Sequence, residues 1–259
     1  MYKIISSGII VVAIAAMLSS LGSSFVGNVW ADDIVGTSGD DALPGTNDED
    51  NIWGLSGDDV IWGKSDDDGL YGMDDDDFIM GNSGRDFILG GDDDDIIEGN
   101  RGNDEIDGGR NTDVIQGNTG DDDITGGRGN DIIEGNDDED EIYGEQGRDW
   151  ISGGDDDDFL FGNEDRDRIR GFSGADNIAG GSGPDRLWGG NNRDDVNGGK
   201  GDDYLHGGRG NDNLRAGSGD DVLRGGPGAD RFNCGSGDDR ILDYTPSEGD
   251  TKNDNCEDF

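Results

Sequence analysis

The chain has 259 residues, with 63 Asp or Glu against 19 Lys or Arg, a formal net charge of −44, 29% hydrophobic residues and 51 Gly. Ordinary domains hold about 45–50% apolar residues counting Gly and about 7% Gly, so a single wide core is excluded, and so is a duplex nucleic-acid binder, which needs a basic face to displace counterions. Low hydrophobicity with high charge leaves disorder, or a fold held by something other than a conventional core.

Residues 1–31 differ from the rest. Lys3 precedes 28 residues without a charge, residues 4–31, among them the apolar run 9–18. Val29-Trp30-Ala31 has the pattern of a cleavage site, so a secretory signal peptide cut after Ala31 is expected. An uncleaved membrane anchor is the alternative, because such a stretch is long enough to span a bilayer. Either reading puts the acidic region outside the cytoplasm: secreted, extracellular or attached to the cell surface.

From Ile34 to Ile241, every ninth residue is large and apolar, in 24 repeats without insertion or deletion. Two residues before each lies Asp, in all 24, and Glu never substitutes. Two residues after each lies Gly in 21 of 24, the exceptions being Ala216, Cys234 and Asp243. Such register excludes simple disorder. The unit reads G-G-x-G-x-D-x-U-x, with U apolar, and its places are numbered one to nine below. Residues 198–206 and 207–215 are full copies. The fourth-place Gly gives way to Asp or Asn at Asp48, Asp66, Asp75, Asp93, Asn111, Asp138, Asp156, Asp165 and Asn192, residue types that still tolerate left-handed backbone.

The U residue and its two neighbours predict a strand of about three residues, and the remaining places a turn rich in Gly, Asp and Asn. Two repeats make one flattened right-handed coil of 18 residues. The expected fold is all-β: a right-handed parallel β-roll solenoid of about twelve coils, in which each coil touches only its neighbours. At ~4.8 Å per coil the rod is roughly 55–60 Å long.

Stacking then lines up one Asp per coil along each edge. Carboxylates about 5 Å apart repel by roughly 3 kcal/mol per pair at an effective dielectric near 20. A hard divalent cation resolves this, and Ca²⁺, which takes six to eight oxygens in flexible geometry, suits carboxylates and turn carbonyls. Mg²⁺ demands a tighter octahedron, and Zn²⁺ or Cu²⁺ would want more than one His and two Cys. The candidate ligands are Asp59, Asp77, Asp95, Asp104, Asp113, Asp122, Asp131, Asp149, Asp176, Asp185, Asp203, Asp212, Asp221, Asp230 and Asp239.

These residues resemble the RTX family, the haemolysin-type calcium-binding nonapeptide repeats, over residues 32–243. The resemblance implies a parallel β-roll with Ca²⁺ between turns two repeats apart, held by the sixth-place Asp and turn carbonyls. Neighbours along one edge are then 18 apart, as Asp203 with Asp221 and Asp212 with Asp230. Many members attach the repeats to a protease, lipase or toxin, and no residues remain here for such a domain. Members exported in one step usually lack an N-terminal signal, a departure that bears on the export route.

No EF-hand loop, H-E-x-x-H, G-x-S-x-G or Walker A pattern occurs, so no enzyme is expected. His206 is isolated and reads as a surface residue. Outward strand places carry Trp53, Trp62, Tyr71, Met80 and Leu89, either a docking patch for a glycan or cell-surface protein or a ladder supporting neighbouring coils. Arg168, Arg186, Arg231 and Arg240 sit beside U residues and are expected to screen the acidic turns. An ice-binding Thr ladder is absent. The expected function is a secreted calcium-binding repeat protein that folds on Ca²⁺, with a surface adhesin or matrix component using the roll as a spacer as the alternative.

The repeat decays near the end, and residues 244–259 are expected to form a capping tail. Cys234 and Cys256, the only two Cys, are expected to be disulfide-bonded, since an exported chain meets an oxidising environment.

Overall fold

The computed structural model describes residues 33–253, 255 and 256. The expected signal segment, residues 1–31, and Asp32 lie outside the described residues.

The described residues form 25 strands, from β1 (Asp33–Val35) to β25 (Thr251–Lys252), and no helix. Odd-numbered strands make one 13-stranded sheet and even-numbered strands one 12-stranded sheet, each in sequence order. Every pair is parallel, and in the repeat region the register is 18 residues: Ile115 opposite Ile133 in one sheet, Ile124 opposite Ile142 in the other. The chain therefore alternates between two facing sheets once per nonapeptide, as a β-roll requires.

The core is the apolar column of each sheet. From Ile52 to Leu223 the U residues are at most 2% exposed, and they form one continuous cluster. Period-two alternation puts the sixth-place Asp, the U residue and the first-place Gly on the same inward side.

Strands are longer than the three residues expected. Most run six, such as Gly69–Asp74, and only those near the ends, such as Val60–Trp62 and Val222–Arg224, stay at three. Identical coils stacked in register align the backbone N–H and C=O groups of the Gly-rich places too, so the ladder extends without needing β-forming side chains.

The first-place Gly is required by close approach. A Cβ on Gly126 would lie 2.7 Å from Asp131 Oδ2, 2.9 Å from Ile133 Cδ1 and 3.0 Å from the Gly144 carbonyl oxygen. At the fourth place Asp and Asn adopt the expected left-handed backbone: φ is 72–84° at Asp66, Asp75, Asp93, Asn111, Asp138, Asp156, Asp165 and Asn192.

The C-terminal segment folds back on the last coils. β25 pairs with β23 (Arg231–Asn233), Tyr244 meets Phe232 edge-on at 6.3 Å, and Cys234 and Cys256 are disulfide-bonded with Cα atoms 5.2 Å apart. Both sulfurs belong to buried residues.

Candidate metal centres

The sixth-place Asp residues are not on the edges, where the sequence suggested them, but inside. From Asp50 to Asp239 they are 0–3% exposed. The inward phase of the strand begins at the Asp, two residues before U, so the carboxylates continue the apolar column at its rim. A solvated acidic face is thereby excluded.

Two columns result. One carries Asp59, Asp77, Asp95, Asp113, Asp131, Asp149, Asp185, Asp203, Asp221 and Asp239; the other carries Asp104, Asp122, Asp176, Asp212 and Asp230. Six more occupy identical places and belong to the same columns: Asp68, Asp86, Asp140, Asp158, Asp167 and Asp194. Their period was visible in the sequence, so nothing in the residues separates them from the fifteen.

Each carboxylate divides its two oxygens. Oδ1 accepts a hydrogen bond from the backbone N–H of the Asp one coil earlier: Asp113 N to Asp131 Oδ1 is 2.9 Å, and Asp203 N to Asp221 Oδ1 is 2.8 Å. The bond fixes the side chain and needs a carboxylate on one methylene, which explains why Glu never substitutes. Oδ2 is buried without a hydrogen-bond partner in all 21 residues from Asp59 to Asp239. A buried polar atom left unpaired is costly, and more so when charged.

The electrostatics follow. Burial pushes the carboxyls up, the backbone N–H on Oδ1 pulls them down, and like charges in neighbouring coils push them up again. Asp95, Asp113, Asp140, Asp167 and Asp194 are raised to about 8. Asp68, Asp77, Asp86, Asp122, Asp131, Asp158 and Asp203 are raised to about 7. Asp59, Asp104, Asp149, Asp176, Asp185, Asp221 and Asp230 are raised to about 6, so without a counter-charge it is the members raised to about 8 that favour the protonated form near neutrality.

Each Oδ2 adds one carboxylate oxygen per coil to its column. No group of three His, Cys, Asp or Glu side chains converges on a point among the described residues. His206 is half-buried, with its pKa lowered by burial and by Arg224 and raised by Asp243; it has no converging ligands around it.

Sequence reasoning missed Asp250. It stands 20 residues beyond Asp230 and still receives the Asp230 N–H on Oδ1 at 2.9 Å. A two-residue insertion hid it; the signal was the triplet Asp250-Thr251-Lys252, which keeps the Asp two before an inward place.

Outside, the expected aromatic ladder is present. Trp53 stacks on Tyr71 at 5.4 Å and Tyr143 on Phe161 at 4.8 Å. The arginines expected to screen the turns do not do so by ion pairs. Among the described residues the ion pairs are Arg110–Asp92, Arg215–Asp195 and Arg224–Asp243, while Arg168, Arg186, Arg231 and Arg240 stand exposed on the strands. Arg170 lies 6.0 Å from the ring of Trp150 and 5.2 Å from that of Trp188.

No curated protein matches the chain. The family described as RTX calcium-binding nonapeptide repeat (4 copies) matches eight windows: residues 35–70, 44–79, 71–106, 99–133, 107–142, 134–169, 170–205 and 206–241. With the nonapeptide, the 18-residue coil and the buried Asp columns in agreement with that match, the chain belongs to the RTX calcium-binding nonapeptide-repeat family.

Proposed function

We propose that the protein is a secreted calcium-binding module, without catalytic activity, whose roll forms when Ca²⁺ neutralises the Asp columns. The observation that carries this reading is the set of 21 buried Oδ2 atoms with no hydrogen-bond partner. A hard cation fits a lining made of carboxylate and carbonyl oxygens. The ligands proposed are the fifteen residues from Asp59 to Asp239 named in the sequence, extended by the six that share their environment. Since no three acidic side chains converge, backbone carbonyls of the turns complete the set. Bound Ca²⁺ supplies positive charge; the chain supplies carboxylates held in place through Oδ1.

The signal segment, residues 1–31, is proposed to be removed on export, and residues 244–259 to act as a cap over the last coil. Extracellular modules bind Ca²⁺ at about 10⁻⁴–10⁻³ M, so folding belongs outside the cell. Calcium titration of residues 32–259 at pH 7.5, followed by circular dichroism, tests the reading. A steep rise in strand signal is expected; a full strand signal already present in EGTA would overturn it.

A second reading is supported by the outward face, where Arg170 sits between Trp150 and Trp188. A surface adhesin or matrix component would use this face to hold a glycan or a cell-surface protein and the roll as a spacer. Retention of the calcium-loaded chain on cells, lost in Trp188→Ala, would favour it.

A further inference from the structure

The 21 Asp residues with an unpartnered Oδ2 share a second property. Four residues before each lies the second place of the repeat, and at all 21, from Leu55 to Gly235, φ is positive, between 72° and 147°. Non-glycine residues accept this backbone too: φ is 87° at Leu55, 93° at Met73, 90° at Asn136 and 80° at Phe172. Left-handed backbone strains Leu55, Met73 and Phe172, while Asn tolerates it, and the strain persists only where the surroundings impose it. The conformation turns the second-place N–H away from the carboxylate and toward the adjoining coil: Lys64 N donates to the Gly81 carbonyl at 3.0 Å and Gly208 N to Gly225 at 2.8 Å.

The ends differ. Thr37 and Thr46 occupy the second place in the first coils, and neither has positive φ. A β-branched residue resists left-handed backbone. The Thr37 N–H and hydroxyl donate to Asp41 Oδ2 at 2.6 and 2.8 Å, and the Thr46 N–H to Asp50 Oδ2 at 2.5 Å. At the other end Thr245, also without positive φ, donates its N–H and hydroxyl to Asp250 Oδ2 at 2.6 and 3.2 Å. The N-terminal and C-terminal ends reach the same solution through different local sequences.

We propose that the second-place residue decides whether a coil presents a cation site, and that Thr37 and Thr46, with Thr245 five residues before Asp250, close three of the four column ends, at Asp41, Asp50 and Asp250, with hydrogen bonds in place of a metal, while Asp239, last of its column, stays open. The inference rests on the calcium reading and adds which residues end the ion columns. Among the described residues the turns that hold Asp41 and Asp50 have a neighbouring turn on one side only, so an ion there would lack ligands from a second turn. An N–H donor satisfies the same oxygen without a second coil.

Native mass spectrometry of the calcium-loaded chain, which counts bound Ca²⁺ ions singly, tests this. Thr46→Asn, introducing the residue that is left-handed at 82, 100, 118, 136 and 163, should bind one ion more than wild type. Thr46→Val keeps the β-branch and the N–H and should match wild type. Asn136→Thr should bind one ion fewer, with the strand signal retained. Thr46→Asn binding no more ions than Thr46→Val overturns the proposal, including the case in which the end coil fails to order and the count drops. Asn136→Thr retaining the wild-type count overturns it as well. A wild-type chain that holds no Ca²⁺ overturns the calcium reading itself, which is a separate outcome.

Discussion

Replacing Ile133 by Asp is the most direct test of the inward register. Ile133 is fully buried, in register with Ile115 and Ile151, and its Cδ1 reaches the backbone of Gly126. Removing a buried Ile side chain costs about 2–5 kcal/mol. A buried carboxyl without a donor adds about 1–3 kcal/mol even when neutral. The sum, about 3–8 kcal/mol, is comparable with the whole net stability of a typical domain, about 5–15 kcal/mol. Because each coil is supported only by its neighbours, the damage falls in the middle of the stack. Glu134→Asp, one residue on, faces outward and loses only the Gln116 Nε2 bond to Glu134 Oε2 at 3.0 Å, about 1 kcal/mol. Amide hydrogen exchange of the calcium-loaded variants reads the difference. Protection around residues 115–151 should fall by at least a factor of about 100 in Ile133→Asp, at ~1.4 kcal/mol per tenfold, and by less than about tenfold in Glu134→Asp. Equal loss in the two would refute the register.

Three further outcomes are expected. The metal-free roll binds more protons than the unfolded chain, because the columns are raised to about 6–8 against about 3.9 when unfolded; its stability is therefore fullest below pH 4 and lost as pH rises through 6–8, so acidification in EGTA should increase the strand signal, and a signal that falls or stays flat would sink the idea. Asp131→Ala leaves the apolar column intact but removes the acceptor of the Asp113 N–H and one unpartnered Oδ2, so the Ca²⁺ midpoint by circular dichroism should rise, and an unchanged midpoint counts against Asp131 as a ligand. Reducing Cys234–Cys256, which closes a 22-residue separation, should cost about 3 kcal/mol on the chain-entropy model and speed exchange near Phe232 and Ile241 first, with the centre unchanged; uniform loss along the chain would contradict an end-cap role.

The sequence alone determined the period, the coil length and the identity of the inward column, because a nine-residue repeat with an apolar residue at one place admits few stackings. It also determined the chemistry, since an invariant Asp beside Gly-rich turns asks for an oxygen-seeking cation, and the pairing of the only two Cys. Three things were decided only by the tertiary structure. The Asp residues turned out to be interior: each stands just before its strand's first residue, and only the packed coil shows that the inward alternation reaches back to it. Asp250 joined a column across a two-residue insertion, which a fixed register cannot see. The contrast between threonine-closed and open coils emerged only with the backbone: Thr46 and Leu55 differ by one residue type in the sequence, but φ sends one N–H to its own carboxylate and the other to the next coil.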